Sequence, residues 1–378
     1  MRIAVIGGGP AGLYFALLAK RRDPRREIEA FEQGTADHTY GFGVVFSEKA
    51  FAFLEKDDPE TYRLLSARCE SWNDLTHVHR DMRVAVDGNG FSSIARLNLL
   101  RLLRAACVEA GVVLHFGRRV EDPRHLAGYD LIVGADGYGS AVRTASAHHF
   151  RPTRKLLTNR FAWYGTRQVF NTLTLTFRAN DDGAFVAHHY RYSRTMSTFI
   201  VECDEGTWRR SGLARMNAER RRRYCENVFA ADLDGHGLID NRSIWRRFPV
   251  VACRRWFHDK TVLIGDALRT VHFSIGSGTR LAMEDAIALE AALSDAGGDV
   301  PRALLRFQEA RRPVVDKLLG AAALSADWYE RFHGIMHLAP YDFVHSYMTR
   351  TGRVTDDQLR RMAPKFMAAR AARRQADG

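Results

Sequence analysis

Three places in the chain set glycine beside a carboxylate at the end of a short apolar run. In the first, Gly7, Gly9 and Gly12 fall at G-x-G-x-x-G spacing around Pro10 and Ala11, and Glu32 follows twenty residues after the last glycine. The second is Gly134-Ala-Asp136-Gly137, and the third is Gly265-Asp266 followed by Gly276-Ser277-Gly278. Glycines so spaced give a tight turn, a backbone that can approach a pyrophosphate, and close packing of helix on strand. The helix start then offers N–H groups and partial positive charge to phosphate. An acid about twenty residues on suits a ribose hydroxyl. Asp136 and Asp266 offer two more hydroxyl acceptors. The chemistry these residues suit is the holding of an adenine dinucleotide.

A second set consists of rings. Trp163, His188, Tyr190 and His272 are candidates to line a pocket, and an imidazole titrating near neutrality can exchange a proton there. Cys69, Cys107, Cys203, Cys225 and Cys253 have neither C-x-x-C nor zinc-ligand spacing, so no metal site is expected and the thiols read as structural.

The elements that position these residues follow from periodicity. Arg2–Ile6 reads as a buried strand, 11–20 as a helix, and 27–31 as a second strand. Residues 33–47 read as a loop in which Gly41, Phe42, Gly43 and Val44 bring backbone close to something flat. A helix over 48–67 is interrupted at Asp57-Asp58-Pro59. One strand is expected over 76–87, and an amphipathic helix over 93–110 carries Arg96 in its first turn. Arginine there opposes the helix dipole, which a phosphate or ribityl oxygen would explain. Strands follow at 112–116 and 129–133, and Arg143 is placed to anchor the next helix. From about Arg151 the chain becomes β-rich and aromatic, suiting an antiparallel sheet with one face covered. Residues 213–230 read as a helix, 260–264 as a parallel-type strand, and 279–294 as a helix. A helical stretch over 300–327 is interrupted at Arg312-Pro313, and the last ten or so residues are expected to be disordered.

With 378 residues, 46% apolar, the chain can bury two interleaved lobes. No apolar run reaches the roughly 20 residues that span a bilayer. The first residues already read as strand and turn, so a cytoplasmic location without membrane attachment is expected. The net charge of +12 suits polyanionic small molecules such as NAD(P)H, FAD or a CoA thioester. Nucleic acid is not expected, because the basic blocks lack a recognisable reading motif.

The three strand-end motifs, taken in order, resemble the single-component FAD aromatic hydroxylases of the para-hydroxybenzoate hydroxylase fold, and the resemblance covers nearly the whole chain. It implies an α/β architecture: a Rossmann-type FAD-binding domain (1–75, 94–150 and 251–320) interleaved with a β-sheet substrate domain (76–93 and 151–250), then C-terminal helices and a basic tail (321–378). The first motif would hold the ADP half of FAD, Asp136-Gly137 would support the cofactor, Asp266 would contact the ribityl chain, and Arg96 would also serve FAD. The resemblance implies that NADH or NADPH reduces FAD, and that O₂ then gives a C4a-hydroperoxide attacked by an electron-rich ring. Backbone N–H groups near 276–278 would stabilise developing negative charge.

Gly41-Phe-Gly-Val-Val-Phe-Ser47, His272-Phe-Ser-Ile-Gly-Ser-Gly278, Met283-Glu-Asp-Ala286 and the tail Thr349-Arg-Thr-Gly-Arg-Val-Thr355 followed by Leu359 are similar to the branch that acts on salicylyl-CoA and 2-aminobenzoyl-CoA. Trp163-Tyr-Gly-Thr166 and 196–203 are also similar to the tryptophan-dimer hydroxylase of violacein biosynthesis. An aryl-CoA substrate is therefore expected, with a large indolic one as the alternative. A flavin oxidoreductase without oxygen insertion shares the same motifs. A monomer or homodimer is expected. Two departures stand out: the family's Gly-Asp-Ala-Ala-His appears as Gly265-Asp-Ala-Leu-Arg269, and Phe273 replaces the proline over the flavin ring.

Overall fold

The chain opens with β1 (Arg2–Ile6), whose last four residues are buried, and turns through glycine into α1 (Pro10–Arg22) and β2 (Glu27–Glu32). The computed structural model describes residues 1–37, 39 and 41–376, with the backbone alone over 48–52. His38 and Tyr40, in the expected loop, lie outside the described residues.

Next come β3 (Gly43–Ser47), α2 (Glu48–Asp57) and α3 (Pro59–Ser66), with Asp58 capping α3 through the Thr61 N–H at 3.1 Å. Strands β4 (Glu70–Trp72), β5 (Leu75–His79), β6 (Met82–Val86) and β7 (Phe91–Ala95) precede α4 (Arg96–Ala110), which Gly111 ends in the left-handed region at φ 91°. Then follow β8 (Val113–Phe116), β9 (Leu131–Gly134), α5 (Ala141–Ala145) and α6 (Ala147–Phe150). The β-rich stretch holds β10 (Pro152–Thr166), β11 (Leu173–Asn180), β12 (Gly183–Ser193) and β13 (Met196–Cys203). Helices α7 (Glu205–Arg210), α8 (Ala218–Val228) and α9 (Ala230–Leu233) follow, then β14 (Leu238–Ile239), β15 (Arg246–Cys253), β16 (Phe257–His258) and β17 (Thr261–Leu263). The rest is helical: α10 (Gly265–Leu268), α11 (Gly278–Asp295), α12 (Val300–Arg331), α13 (Pro340–Thr349), α14 (Asp356–Met362) and α15 (Pro364–Ala376).

The first sheet has the order β16-β17-β9-β1-β2-β8, parallel except for β16. The order reverses between β1 and β9, and in such sheets ligands bind outside the carboxyl ends of the strands at the reversal. A second sheet runs β14-β10-β13-β12-β11-β5-β6, with β15 added on β10, and a small sheet pairs β3 and β4 on β7.

Register fixes what each face of the second sheet carries. Phe161 lies opposite Glu202 and Arg246, Trp163 and His188 opposite Ile200, and Tyr190 opposite Thr198. Side chains directly across a ladder share a face, so these residues stand together. The reverse face, with Ala162, Tyr164, Phe199, Val201 and Phe185, packs on Trp208, Leu213, Cys225, Phe229 and Leu233. At the other end of the ring-bearing face, Leu75, Val84, Val86, Leu175 and Phe177 pack on Tyr329, Phe332, Phe343, Tyr347 and Phe366 of the last helices.

Several expectations require correction. Residues 43–47 are strand rather than loop, because their backbone pairs with β7. The strand expected over 76–87 is a hairpin whose Arg80 and Asp81 adopt φ 49° and 60°, a turn geometry that Asn-Gly normally supplies. Ser93 to Ala95 belong to β7, so the helix starts at Arg96 itself. Within 213–230 a short 3₁₀ turn ends at Arg215, and α8 begins only after Asn217 caps it. Pro313 does not break α12, which continues through it. The tail is helical to Ala376, anchored where Asp87 accepts the Phe366 N–H at 3.0 Å and Asp342 pairs with Arg370 at 2.9 Å.

Candidate active site

The three glycine–carboxylate motifs stand side by side at the carboxyl ends of β1, β9 and β17, joined by Ala135 N–H to Ile6 O (2.7 Å) and Ile264 N–H to Gly134 O (3.0 Å). A β-carbon on Gly12 would stand 2.1 Å from the Gly7 carbonyl, and Gly7 itself, at φ 113°, has Ala135 O 2.3 Å from where its β-carbon would be. Beside Gly9, by contrast, a β-carbon would meet nothing within 4 Å. No side chain caps α1 at Gly9, so the N–H groups of Ala11 and Gly12 are left for a ligand, while Pro10 at the first position has none to lose. Glu32 lies across this turn, accepting the Gly8 N–H at 2.8 Å and the Gly34 N–H at 2.7 Å.

Asp136 supports the start of α5: one oxygen accepts the Ala141 and Val142 N–H groups at 2.7 and 3.2 Å, and the other is buried without a hydrogen-bond partner among the described residues. Gly137 next to it takes φ 76°. Arg143 does more than anchor its helix. Its guanidinium is fully buried and donates to Ala267 O at 2.7 Å and to Tyr138 O, tying the second motif to the third.

Asp266 opens into the cleft, and the cleft walls push its carboxyl above the ordinary range against the pull of Arg269 and Arg96. Arg96 is half-buried at the start of α4, its charge facing that of Asp266 near the neutral Tyr190 phenol, and its own N–H donates to Phe42 O at 2.8 Å. The departure at Arg269 has a structural explanation. Its side chain is buried, donates to Gly265 O at 3.0 Å and pairs with Asp285 at 2.8 Å, while Asp285 also accepts the Gly265 N–H at 3.1 Å and faces Arg311 at 3.3 Å. The Gly265 turn is therefore held from behind by a buried ionic cluster.

Of the 276–278 loop, Gly276 takes φ 60° and commits its N–H to Phe273 O at 2.9 Å, leaving those of Ser277 and Gly278 as the donors at the start of α11. The same loop lies beside β3, since a β-carbon on Gly276 would stand 3.7 Å from Val45. Val44 itself is buried in β3 opposite Ile94.

Phe273 joins this loop to the sheet. Its ring centroid lies 4.8 Å from that of Phe161, 5.3 Å from His188, 6.0 Å from Trp163 and 4.4 Å from His272. Three of the candidate rings, those of Trp163, His188 and His272, thus converge on Phe273. Tyr190 has a positioning part, because its buried hydroxyl donates to Gly43 O at 3.0 Å and burial pushes its pKa up. Among the described residues, the buried Trp163 indole N–H, near Gly41, has no hydrogen-bond partner. His272 is buried, and burial pushes its pKa down to about 4, so its ring is neutral at pH 7. Its Nδ1 lies 2.8 Å from Ser274 Oγ.

His188 has a partner that sequence reasoning missed. Its Nε2 lies 3.3 Å from Glu202 Oε2, and Glu202 Oε1 accepts from Asn159 Nδ2 at 2.8 Å. Burial pushes the Glu202 carboxyl up, but the hydrogen bonds from His188 and, to a lesser extent, Asn159 hold it below the ordinary range. A carboxylate on the inward phase of the Met196–Cys203 strand was the available signal. Arg350 was also missed as a site element: it donates to Ser274 O at 3.0 Å and Ser325 Oγ at 2.8 Å, fastening the Phe273 loop to the last helices. Two surface hollows, one about 560 Å³ beside Tyr129 and Lys260 and one about 420 Å³ between α14 and α15, include none of these residues. Among the described residues, no group of His, Cys, Asp or Glu is arranged to hold a metal, and no helix is long and apolar enough to cross a membrane.

A dinucleotide cleft at the sheet reversal, walled on one side by a sheet bearing aromatic rings, defines a flavoprotein oxidoreductase architecture. Residues 127–322 match the FAD binding domain family. The chain is 40% identical to the salicyloyl-CoA 5-hydroxylase of a Streptomyces species over 93% of its own length and 70% of that protein. It is 37% identical to protodeoxyviolaceinate monooxygenase of Chromobacterium violaceum (93% and 94% covered), and 38% identical to 3-hydroxy-4-methyl-anthranilyl-[aryl-carrier protein] 5-monooxygenase of Streptosporangium sibiricum (88% and 90%). The crystal structure of a point mutant of 2-methyl-3-hydroxypyridine-5-carboxylic acid oxygenase superposes with a TM-score of 0.73 at 17% identity, covering 96% of this chain and 95% of that one. The chain belongs to the FAD-dependent aromatic monooxygenases.

The cleft fits FAD on its own geometry: open space beside Gly9, an uncapped helix start, the partnerless oxygen of Asp136, and Arg96 facing Asp266 further along.

Proposed function

We propose that this enzyme uses NADH or NADPH and O₂ to hydroxylate an electron-rich aromatic ring carried as a CoA thioester, with salicyloyl-CoA, hydroxylated at C5, as the first candidate. The observation that carries this reading is the 40% identity, over 93% of the chain, to a protein of that activity. A second relative is named for an aryl group borne on a carrier protein, which supports a thioester-linked ring over a free acid. The 37% match to protodeoxyviolaceinate monooxygenase keeps an indolic substrate as the second reading.

We assign the phosphates to the N–H groups of 11 and 12, the adenosine ribose to Glu32, and the ribityl chain to Asp266 and Arg96. When bound, FAD supplies the electrophilic oxygen. The chain's own tasks are to orient the ring, exclude water and move one proton. Phe161, Trp163 and Phe273 form apolar walls that would keep water out and hold the ring in a near-attack pose. We assign the Ser277 and Gly278 N–H groups to the stabilisation of negative charge that develops on the cofactor side. His188 is the side chain we assign to the ring substituent's proton, with Trp163 and His272 as hydrogen-bonding walls and Tyr190 as a support. We place the reaction in the cytoplasm, where the free cysteines stay reduced, in a monomer or homodimer.

The test is the rate of NAD(P)H oxidation with salicyloyl-CoA, 2-aminobenzoyl-CoA, the corresponding free acids and indolic acids. Acceleration by salicyloyl-CoA is expected. Acceleration by the free acids alone would overturn the thioester assignment.

A further inference from the structure

We propose that Glu202 fixes the tautomer of His188, so that His188 Nδ1 is the atom that takes the hydroxyl or amine proton of the substrate ring. This rests on the aromatic-hydroxylase reading of the same face. Glu202 and His188 are both buried, with side chains 1% and 7% exposed, and lie on neighbouring strands with Nε2 to Oε2 at 3.3 Å. The second Glu202 oxygen is taken by Asn159 Nδ2 at 2.8 Å. Asn159 is itself held, its Nδ2 also donating to Tyr329 O at 2.9 Å and its N–H to Glu330 Oε1 at 2.7 Å. An ionised carboxylate only accepts hydrogen bonds, so a neutral His188 facing it carries its proton on Nε2. Nδ1 is then the basic nitrogen, on a ring 5.3 Å from that of Phe273.

The groups facing His188 come from three elements: Glu202 on β13, His272 on the loop before α11, and Tyr329 on α12, with Arg350 behind Ser274. Of these, Glu202 alone offers His188 a negative charge near neutrality, since His272 is neutral there and burial raises the Tyr329 phenol. In the step, the substrate O–H or N–H bond breaks and its proton bonds to Nδ1. The electron pair stays on the substituent and enriches the ring, and the imidazolium charge is balanced by Glu202.

Glu202→Gln separates this from packing. The amide has one acceptor, which Asn159 claims, and so presents an N–H to His188 Nε2, driving the imidazole proton to Nδ1. Nitrogen-15 NMR of the FAD-loaded protein, with His188 identified by the signal lost in H188Q, reads the tautomer whatever the substrate. We expect Nε2–H in the unmodified protein and in Glu202→Asp, Nδ1–H in E202Q, and a kcat loss of roughly 10²–10⁴-fold in E202Q that Glu202→Asp largely restores. Nδ1–H in the unmodified protein overturns the proposal even should E202Q fail to fold, as does an unchanged tautomer in E202Q. Absence of any stimulating aromatic compound would count against the functional reading and leave the NMR result to decide the tautomer.

Discussion

A methyl group at Gly12 has nowhere to go, with the Gly7 carbonyl 2.1 Å from the β-carbon position. Gly12→Ala must push α1 away from β1, and we expect it to purify with little or no bound flavin, read from the absorbance near 450 nm relative to 280 nm. Motifs of this kind are legible in sequence because their spacing is local. The His188–Glu202 pair was only half legible, since its partners are fourteen residues apart and meet through strand register. Buried histidines carry a second residue-scale consequence. Burial lowers the pKa of His77, His79, His189 and His272, the last from 6.5 to about 4. The unfolded chain therefore binds protons before the native one does, so this stability is full above pH 6.5 and is lost as pH falls toward 4. For His272 alone the loss is on the order of 3 kcal/mol. Urea titrations at pH 7 and pH 4.5 should show the fall, and His272→Asn should flatten it.

At the scale of elements, Asp285 on α11 is where three pieces meet: the Gly265 turn, Arg269 and Arg311. Removing one partner of a buried ionic cluster typically costs about 3–5 kcal/mol, because the remaining charge is stranded. Asp285→Ala should lower stability by that amount in chemical denaturation and weaken flavin retention through the Gly265 turn, whereas replacing exposed Arg373 should do neither. Arg350 tests the other fastening. Arg350→Met removes the guanidinium from over the Tyr347 ring and releases Ser274 and Ser325, and we expect weaker FAD binding by flavin-fluorescence titration, with a Tm drop smaller than that of Asp285→Ala.

The elements that sequence reasoning recovered, β1–α1–β2 and the strands ending at 134 and 263, announce themselves by apolar runs against glycine. Those it misplaced lack a local signal. The β5–β6 turn uses Arg80 and Asp81 at positive φ, β3 is a strand only because β7 pairs with it, and α12 absorbs Pro313 because both of its ends are packed. The arginine at 269 looked like a departure because Asp285, its reason, lies sixteen residues on.

At the scale of the whole molecule, one helix connects everything. α12 is 32 residues, about 48 Å. Its first half, with Ala303, Leu304 and Phe307, packs in the core of the parallel sheet, and Tyr329 packs in the core beneath the second sheet. Between them, Ser325 and Tyr329 back the loop and the His188 face, so the cofactor cleft and the ring-bearing sheet are held by a single element. The assembled molecule sets the cleft that fits FAD beside a sheet face bearing aromatic rings. The most direct check is the origin of the oxygen in the product. With FAD-loaded enzyme, NAD(P)H, salicyloyl-CoA and ¹⁸O₂, mass spectrometry should find one ¹⁸O atom in a hydroxylated thioester. Reductant consumption with hydrogen peroxide as the sole oxygen product, from salicyloyl-CoA and every other aromatic compound tested, would contradict the account.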